Sequence, residues 1–301
     1  AATEGWKPQS EEHLRILELL GVEFGIVALT KVDLVDDDLL ELAKMDVADH
    51  VAGTFLETAP VIPVAATAGI GIDEIRAEID SLVARSGAAA DQHRPRLWID
   101  RVFAAKGSGT VVTGTLVGGS LVSDTNVQVA PDDRPARIRS IQTAGSTVES
   151  IGPGNRVALN LGGIDHHELE RGDAVVQPDR WLLTDRLDAS LDVLATLDHD
   201  VSRRGAYVAY LGAGEHAVKL RVLATEALAP GTTGAVRLFL PVALPLLPGD
   251  RYILRESGRD ETVGGGEILD IAPILRASRA APDRSIERVV RERGWVHVDE
   301  L

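Results

Sequence analysis

Cysteine is absent from the 301 residues, and with it go disulfides, thiolate metal sites, iron–sulfur clusters and cysteine nucleophiles. A cytosolic compartment is the expectation. No apolar run approaches the roughly 18 residues that span a bilayer, and no basic stretch followed by an apolar one opens the sequence. The expectation is therefore no membrane partner and no export signal. Positive charge is also scarce: 31 Lys and Arg face 46 Asp and Glu, for a formal net charge of −15. Non-specific nucleic-acid binding needs basic surface to displace counterions from phosphates, so this balance argues against it. The deficit is uneven, with 17 acidic and 6 basic residues in 1–90 but 29 and 25 in 91–301. A polyanion partner should prefer the second part.

What is present is the composition of a folded chain, 45% hydrophobic and 26% charged, at a length natural for two or three domains. Residues 1–88 read as α/β. EEHLRILELLGV sets Leu14, Ile16, Leu17, Leu19 and Leu20 at helical spacing, and FGIVALTK is the short apolar run of a buried parallel strand. Asp36, Asp37 and Asp38 stand where N-caps belong, ahead of a helix that Gly53 would stop. VIPVAA is a second buried strand, followed by a loop and a helix ending near Gly87. Strand-helix-strand-helix without hairpins is the rhythm of a parallel sheet with helices packed on it.

GAAADQHRPR breaks that rhythm and reads as an interdomain linker. From there to about residue 283 the sequence is a series of short β-rich runs with turn residues every 8 to 12 positions, the pattern of sandwiches or barrels. The series is too long for one small barrel, and WLLTDR is the predicted seam between two. No long helix is expected between Trp98 and Ile271. DRSIERVVRERGWVHVDEL returns to a helix carrying Arg284, Arg288 and Arg291, then a strand or turn.

Chemistry concentrates in few places. Asp33, just past the strand in ALTKVDLV, is where α/β sheets bind ligands. Its carboxylate suits the two N–H donors of guanine, which adenine cannot offer, with the Lys31 stem over the base; the alternative is that Asp33 caps the next helix. PVAATAGIGIDEI puts a small-residue loop at the end of the neighbouring strand, where backbone N–H groups reach a base oxygen. GSGTVVTGTLVGG, although rich in Gly, lies among β-branched residues with no helix after it, so turn glycines of a barrel are expected. His166 and His167 are adjacent, so their side chains should diverge, and without a third ligand they read as structural or solvated histidines. Asp100 and Arg101 are neighbours on a predicted strand and should face opposite sides.

These motifs together resemble the translational GTPases related to elongation factor Tu. TKVD looks like their guanine-specificity motif Asn/Thr-Lys-x-Asp, PVAATAGIGIDEI is similar to their Ser-Ala-x loop, and AATEGWKPQSEEHL resembles the stretch after their second switch. WIDRVFAAKGSGTVVTGTLVGGSL and NRVALNLGGIDHHELERGDAVV resemble the start and end of the second domain, and LPLLPGDRYILRESGRDETVGGGEILD the third. Thr30 in place of Asn, the Asp100-Arg101 step and ESGRDETVGGGEILD point within that group to the selenocysteine-specific (SelB-type) factors.

The resemblance implies a multi-domain fold: a partial α/β P-loop-type GTPase domain over 1–90, β-barrels over 91–180 and 181–275, and a linker helix over 276–301. It implies GTP as cofactor, with Mg²⁺ in the intact factor, and guanine contacts from Thr30, Lys31, Asp33, Ala65, Ala66 and Thr67. It also implies selenocysteinyl-tRNA and the ribosome as partners, an mRNA hairpin held through a further C-terminal region, and an aminoacyl pocket at Asp100, Arg101 and Arg156. Two departures matter. Ala65 stands at the family's usual Ser, and the sequence has no G-x-x-x-x-G-K-[ST] phosphate cradle, its one Lys-Gly step being the reversed KGSGT at Lys106. The Ala1 start fits a fragment, expected to be inactive as a GTPase on its own. The alternatives are a Tu-like factor for another aminoacyl-tRNA and a non-catalytic tRNA-binding remnant.

Overall fold

The computed structural model describes residues 1–105 and 109–294. The predicted turn after helix 286–293 and the Lys106 loop lie outside them. The chain divides into two units, Ala1–Ala88 and Ala89–Leu301.

In the first unit, strands β1 (Val27–Thr30) and β2 (Val61–Val64) pair in parallel. Helices α1 (Pro8–Leu19), α2 (Asp37–Val51) and α3 (Ile72–Arg85) accompany them. Pro8 opens α1, where a missing N–H costs nothing. Asp36 caps α2 by accepting from the Leu39 N–H at 2.9 Å, and Gly53 follows the helix with φ 73°. Leu14, Leu29, Ala43, Val47 and Val51 form the small core, with Trp6 and Phe55 against it. Leu42, Met45 and Val83 remain mostly exposed, because two strands cannot cover three helices; the layer is a partial one.

The second unit holds two barrels. The first contains β3 (Arg96–Ala105), β4 (Gly109–Val117), β5 (Leu121–Val122), β6 (Asn126–Ala130), β7 (Arg134–Thr143), β8 (Ser146–Val148), β9 (Ser150–Ile151), β10 (Arg156–Gly162) and β11 (Ala174–Val176). Its ring runs β10-β4-β3-β11-β6-β7 and closes through β7–β10. Leu97, Ile99, Val112, Leu116, Ile138, Ile141 and Leu159 alternate inward and fill it.

The second barrel contains β12 (Leu183–Val193), β13 (Val201–Ser202), β14 (Tyr207–Leu211), β15 (Gly214–Val222), β16 (Ala227–Leu228), β17 (Thr233–Pro245), β18 (Arg251–Glu256) and β19 (Glu261–Asp270). It closes in the order β12-β17-β15-β14-β18-β19. Between Trp98 and Ile271 the only helical element among the described residues is the three-residue 3₁₀ turn His166–Glu168. Helix α4 (Ile286–Arg293) starts at Ser285, whose hydroxyl accepts from the Arg288 N–H. Arg288 is buried against Asp270, Asp283 and Glu292, while Arg284 and Arg291 are exposed, so the three arginines do not act as one surface group. Among the described residues no helix is long and apolar enough to cross a membrane.

Candidate functional site

The parallel register sets Thr30 opposite Val64, so β1 and β2 end side by side and deliver the TKVD and AAT segments to one edge. Lys31 takes the left-handed conformation, φ 61° and ψ 35°, which turns the chain directly into the 3₁₀ turn Val32–Leu34 that carries Asp33. Asp33 is exposed there, and since Asp36 caps α2, the capping alternative for Asp33 is excluded. Lys31 is ion-paired with Glu4 at 3.1 Å, and its ammonium holds the Glu4 carboxyl below the usual range. Thr30 is exposed, while its carbonyl accepts from the Ala2 N–H at 2.8 Å.

On the second loop, Ala65 is 2% exposed and exchanges both backbone hydrogen bonds with Ile70, at 3.0 and 3.1 Å. It braces the loop, whereas Ala66 and Thr67 are exposed above it. Gly71, at φ 72°, lies so close to the Pro63 carbonyl that any Cβ would collide. That approach ties the loop back onto β2.

In the first barrel the expected alternation fails at Asp100. Ile99 pairs with Gly114 and Arg101 with Thr113, leaving Asp100 as the extra residue of a β-bulge. Ile99 faces the core and Val102 packs against it, so both Asp100 and Arg101 point outward. The Arg156 guanidinium grips Asp100 with two hydrogen bonds, 2.5 and 3.0 Å, and the Thr113 hydroxyl donates to the same carboxylate at 2.7 Å. The Arg156 bonds hold the Asp100 carboxyl below its ordinary value; partial burial opposes them, and Thr113 and the charge of Arg101 assist. Asp100 in turn pushes Arg156 further up. Thr113 is a member of this cluster that the sequence reading missed; its spacing in TVVTGT gave only strand alternation.

The histidine pair also departs from expectation. The His166 and His167 rings lie 3.8 Å apart between centroids instead of diverging, and Asp165 supplies a third potential ligand, the set lying within 4.8 Å of one another. Adjacent side chains converge because the tight turn is not a strand, and its cap draws Asp165 over the same end.

Comparison with known proteins places this geometry. The family description "Elongation factor Tu GTP binding domain" matches residues 1–85. The selenocysteine-specific elongation factor of Desulfomicrobium baculatum is 37% identical over 270 residues, which is 90% of this chain and 43% of that protein. That of Escherichia coli (strain K12) is 30% identical over 282 residues, 93% and 43%. The crystal structure of a bacterial selenocysteine-specific elongation factor, EF-Sec, matches with a TM-score of 0.79 at 27% identity, covering 91% of this chain and 44% of that one. The apo elongation factor SelB of Methanococcus maripaludis matches equally well in fold, TM-score 0.79, at 22% identity, over 91% of this chain and 64% of that one. The chain spans less than half the length of the curated relatives it matches.

A stretch of Tu-type GTP-binding domain followed by two closed barrels defines the translational GTPase class. Within that class, the chain is similar over 90% of its length to a selenocysteine-specific elongation factor, and it matches the Tu-type GTP-binding domain over residues 1–85.

Proposed function

We propose that the chain is the part of a selenocysteine-specific elongation factor that recognises the guanine base and the charged end of selenocysteinyl-tRNA, delivered in the intact factor to the ribosome. The observation that carries this reading is the outward cluster of Asp100, Arg101 and Arg156, in which one guanidinium is held by a carboxylate and a second stands beside it. A selenol is ionised near neutral pH, so a permanently charged guanidinium separates it from the neutral hydroxyl of serine. In this reading residues 1–90 are the C-terminal part of the GTP-binding domain, 91–180 and 181–275 are the two barrel domains that follow it, and 276–301 lead toward a region that grips an mRNA hairpin.

GTP, when bound, supplies the γ-phosphate whose loss releases the tRNA. The residues present fit only its base: Asp33 is exposed to accept from guanine, Lys31 to cover the ring, and the Ala66 and Thr67 backbone to face the base oxygen, with Thr30 and Ala65 shaping the two loops. These 301 residues contain no phosphate cradle, and none of them is assigned to Mg²⁺. Phosphate and Mg²⁺ contacts supply most nucleotide affinity, so calorimetry on this chain should find no GTP or GDP binding at micromolar strength and no hydrolysis.

The decisive experiment joins the missing part of the GTP-binding domain and compares selenocysteinyl-tRNA with seryl-tRNA. Preference for the first supports the proposal. Equal binding of both would favour a factor for another aminoacyl-tRNA, and no binding of either would leave a non-catalytic remnant.

A further inference from the structure

The turn at residues 165–168 is organised beyond what a surface loop needs. Asp165 accepts from the His167 N–H at 2.9 Å through Oδ1, and the Glu168 carboxylate returns to the Asp165 N–H at 2.7 Å. Both ends are anchored: the Thr110 hydroxyl donates to the Ile164 carbonyl at 2.9 Å, and Leu169 is buried at 7% exposure. On this clamped turn the His166 Nδ1 stands 3.1 Å from Asp165 Oδ1, and the two imidazoles converge at 3.8 Å. Asp165 and His167 are open to solvent and His166 is half-buried.

We propose that Asp165, His166 and His167 form a surface site for one divalent transition ion, of the zinc, nickel or copper class. Two imidazoles and one carboxylate are the donors such ions select, whereas Mg²⁺ and Ca²⁺ prefer all-oxygen shells. Bonds of about 2.0–2.2 Å from a metal place neighbouring ligand atoms roughly 3.0–3.5 Å apart. The ligand atoms here lie within 4.8 Å, and rotation chiefly of the exposed His167 ring closes the difference without moving the backbone. His167 then contributes through a ring that makes no hydrogen bond among the described residues, and solvent completes the coordination sphere.

The test is titration calorimetry of the untagged chain with Zn²⁺ and then Ni²⁺. One saturable site per chain is expected, unaffected by excess Mg²⁺. His166→Ala and His167→Ala should each weaken it by about 10-fold or more, the scale at which disturbing a metal site is felt. His93→Ala, at a 91% exposed histidine elsewhere in this unit, should not. The variants avoid Asp165, which caps the turn, and thermal melting checks that each remains folded. Absence of saturable binding, binding retained in the double histidine variant, or displacement by Mg²⁺ would each overturn the proposal.

Discussion

Arg96 at the start of the first barrel and Asp250 in the second are joined by two parallel hydrogen bonds of 2.6 Å, across 154 positions of sequence. The same guanidinium donates to the Pro245 carbonyl and stacks near the rings of Trp98 and Trp181, about 5.1 Å from each centroid. A planar, permanently charged fork does all of this at once, which a lysine ammonium cannot. Removing either partner strands the other, and Arg96 is only 6% exposed. Arg96→Ala and Asp250→Ala should therefore each cost about 3 kcal/mol, the low end for broken buried pairs, since Asp250 is partly exposed. Urea unfolding followed by tryptophan fluorescence measures this; the double variant should cost less than the sum of the singles.

Gly212, in the turn between β14 and β15, has φ 57° and its backbone rests on the Trp98 indole, so that a Cβ would enter the ring. Alanine adds both backbone strain and overpacking at the barrel junction. Gly212→Ala should destabilise by about 2–4 kcal/mol and perturb the near-ultraviolet signal of Trp98. A shift in urea midpoint too small to resolve would mean that the junction yields at this point.

Much of this architecture was legible in sequence because it follows periodicity. The switch at GAAADQHRPR from apolar runs with helices to short alternating strands marks where the α/β segment gives way to barrels, and the two loops proposed to hold guanine follow directly from strand ends. Features that depend on register or on distant pairing were not legible. The Asp100 bulge requires knowing that Ile99 faces Gly114 while Arg101 faces Thr113. The burial of Arg288 depends on Asp270 from the last barrel strand, and no local pattern separates it from the exposed Arg284 and Arg291. Convergence of His166 and His167, where divergence is the expectation for neighbours, depends on a 3₁₀ turn.

Alkaline pH should weaken the second barrel through Tyr252. Its ring is fully buried and its hydroxyl donates to the Ser190 carbonyl at 2.7 Å; burial pushes the phenol far above its ordinary value, with the charge of Asp192 a lesser cause. The folded state thus holds this proton more tightly than the unfolded state does. The contribution is intact below the unfolded value of about 10 and is lost as pH rises above it. Tyr207 is shifted the same way by burial, so some alkaline loss remains without Tyr252. Tyr252→Phe should cost about 1 kcal/mol at neutral pH, one hydrogen bond, and make the fall in urea midpoint between pH 9 and 11 shallower. An unchanged slope would place the alkaline sensitivity elsewhere.

The two arginines of the proposed aminoacyl pocket should not be equivalent. Arg156 spends its charge on Asp100, with both terminal nitrogens bonded to that carboxylate, whereas Arg101 lies exposed on the same outward face of the bulge. In the proposed pocket an incoming selenolate would therefore meet net positive charge mainly at Arg101, with Arg156 and Thr113 holding Asp100 in place. In a factor with its GTP-binding domain completed, Arg101→Ala should reduce affinity for selenocysteinyl-tRNA by about 1.5–3 kcal/mol, the worth of a hydrogen bond to a charged group, and barely change seryl-tRNA. Arg156→Ala leaves Asp100 uncompensated and repels the selenolate, so it too should hurt the selenocysteinyl form; in Arg156→Ala/Asp100→Asn, with the repelling carboxylate also gone, most of that loss should return. Such a rescue is absent if Arg156 itself touches the selenium. Equal losses for both tRNAs in Arg101→Ala would assign that arginine to the phosphate backbone or the barrel, and the charge-based discrimination would have to be sought at another residue.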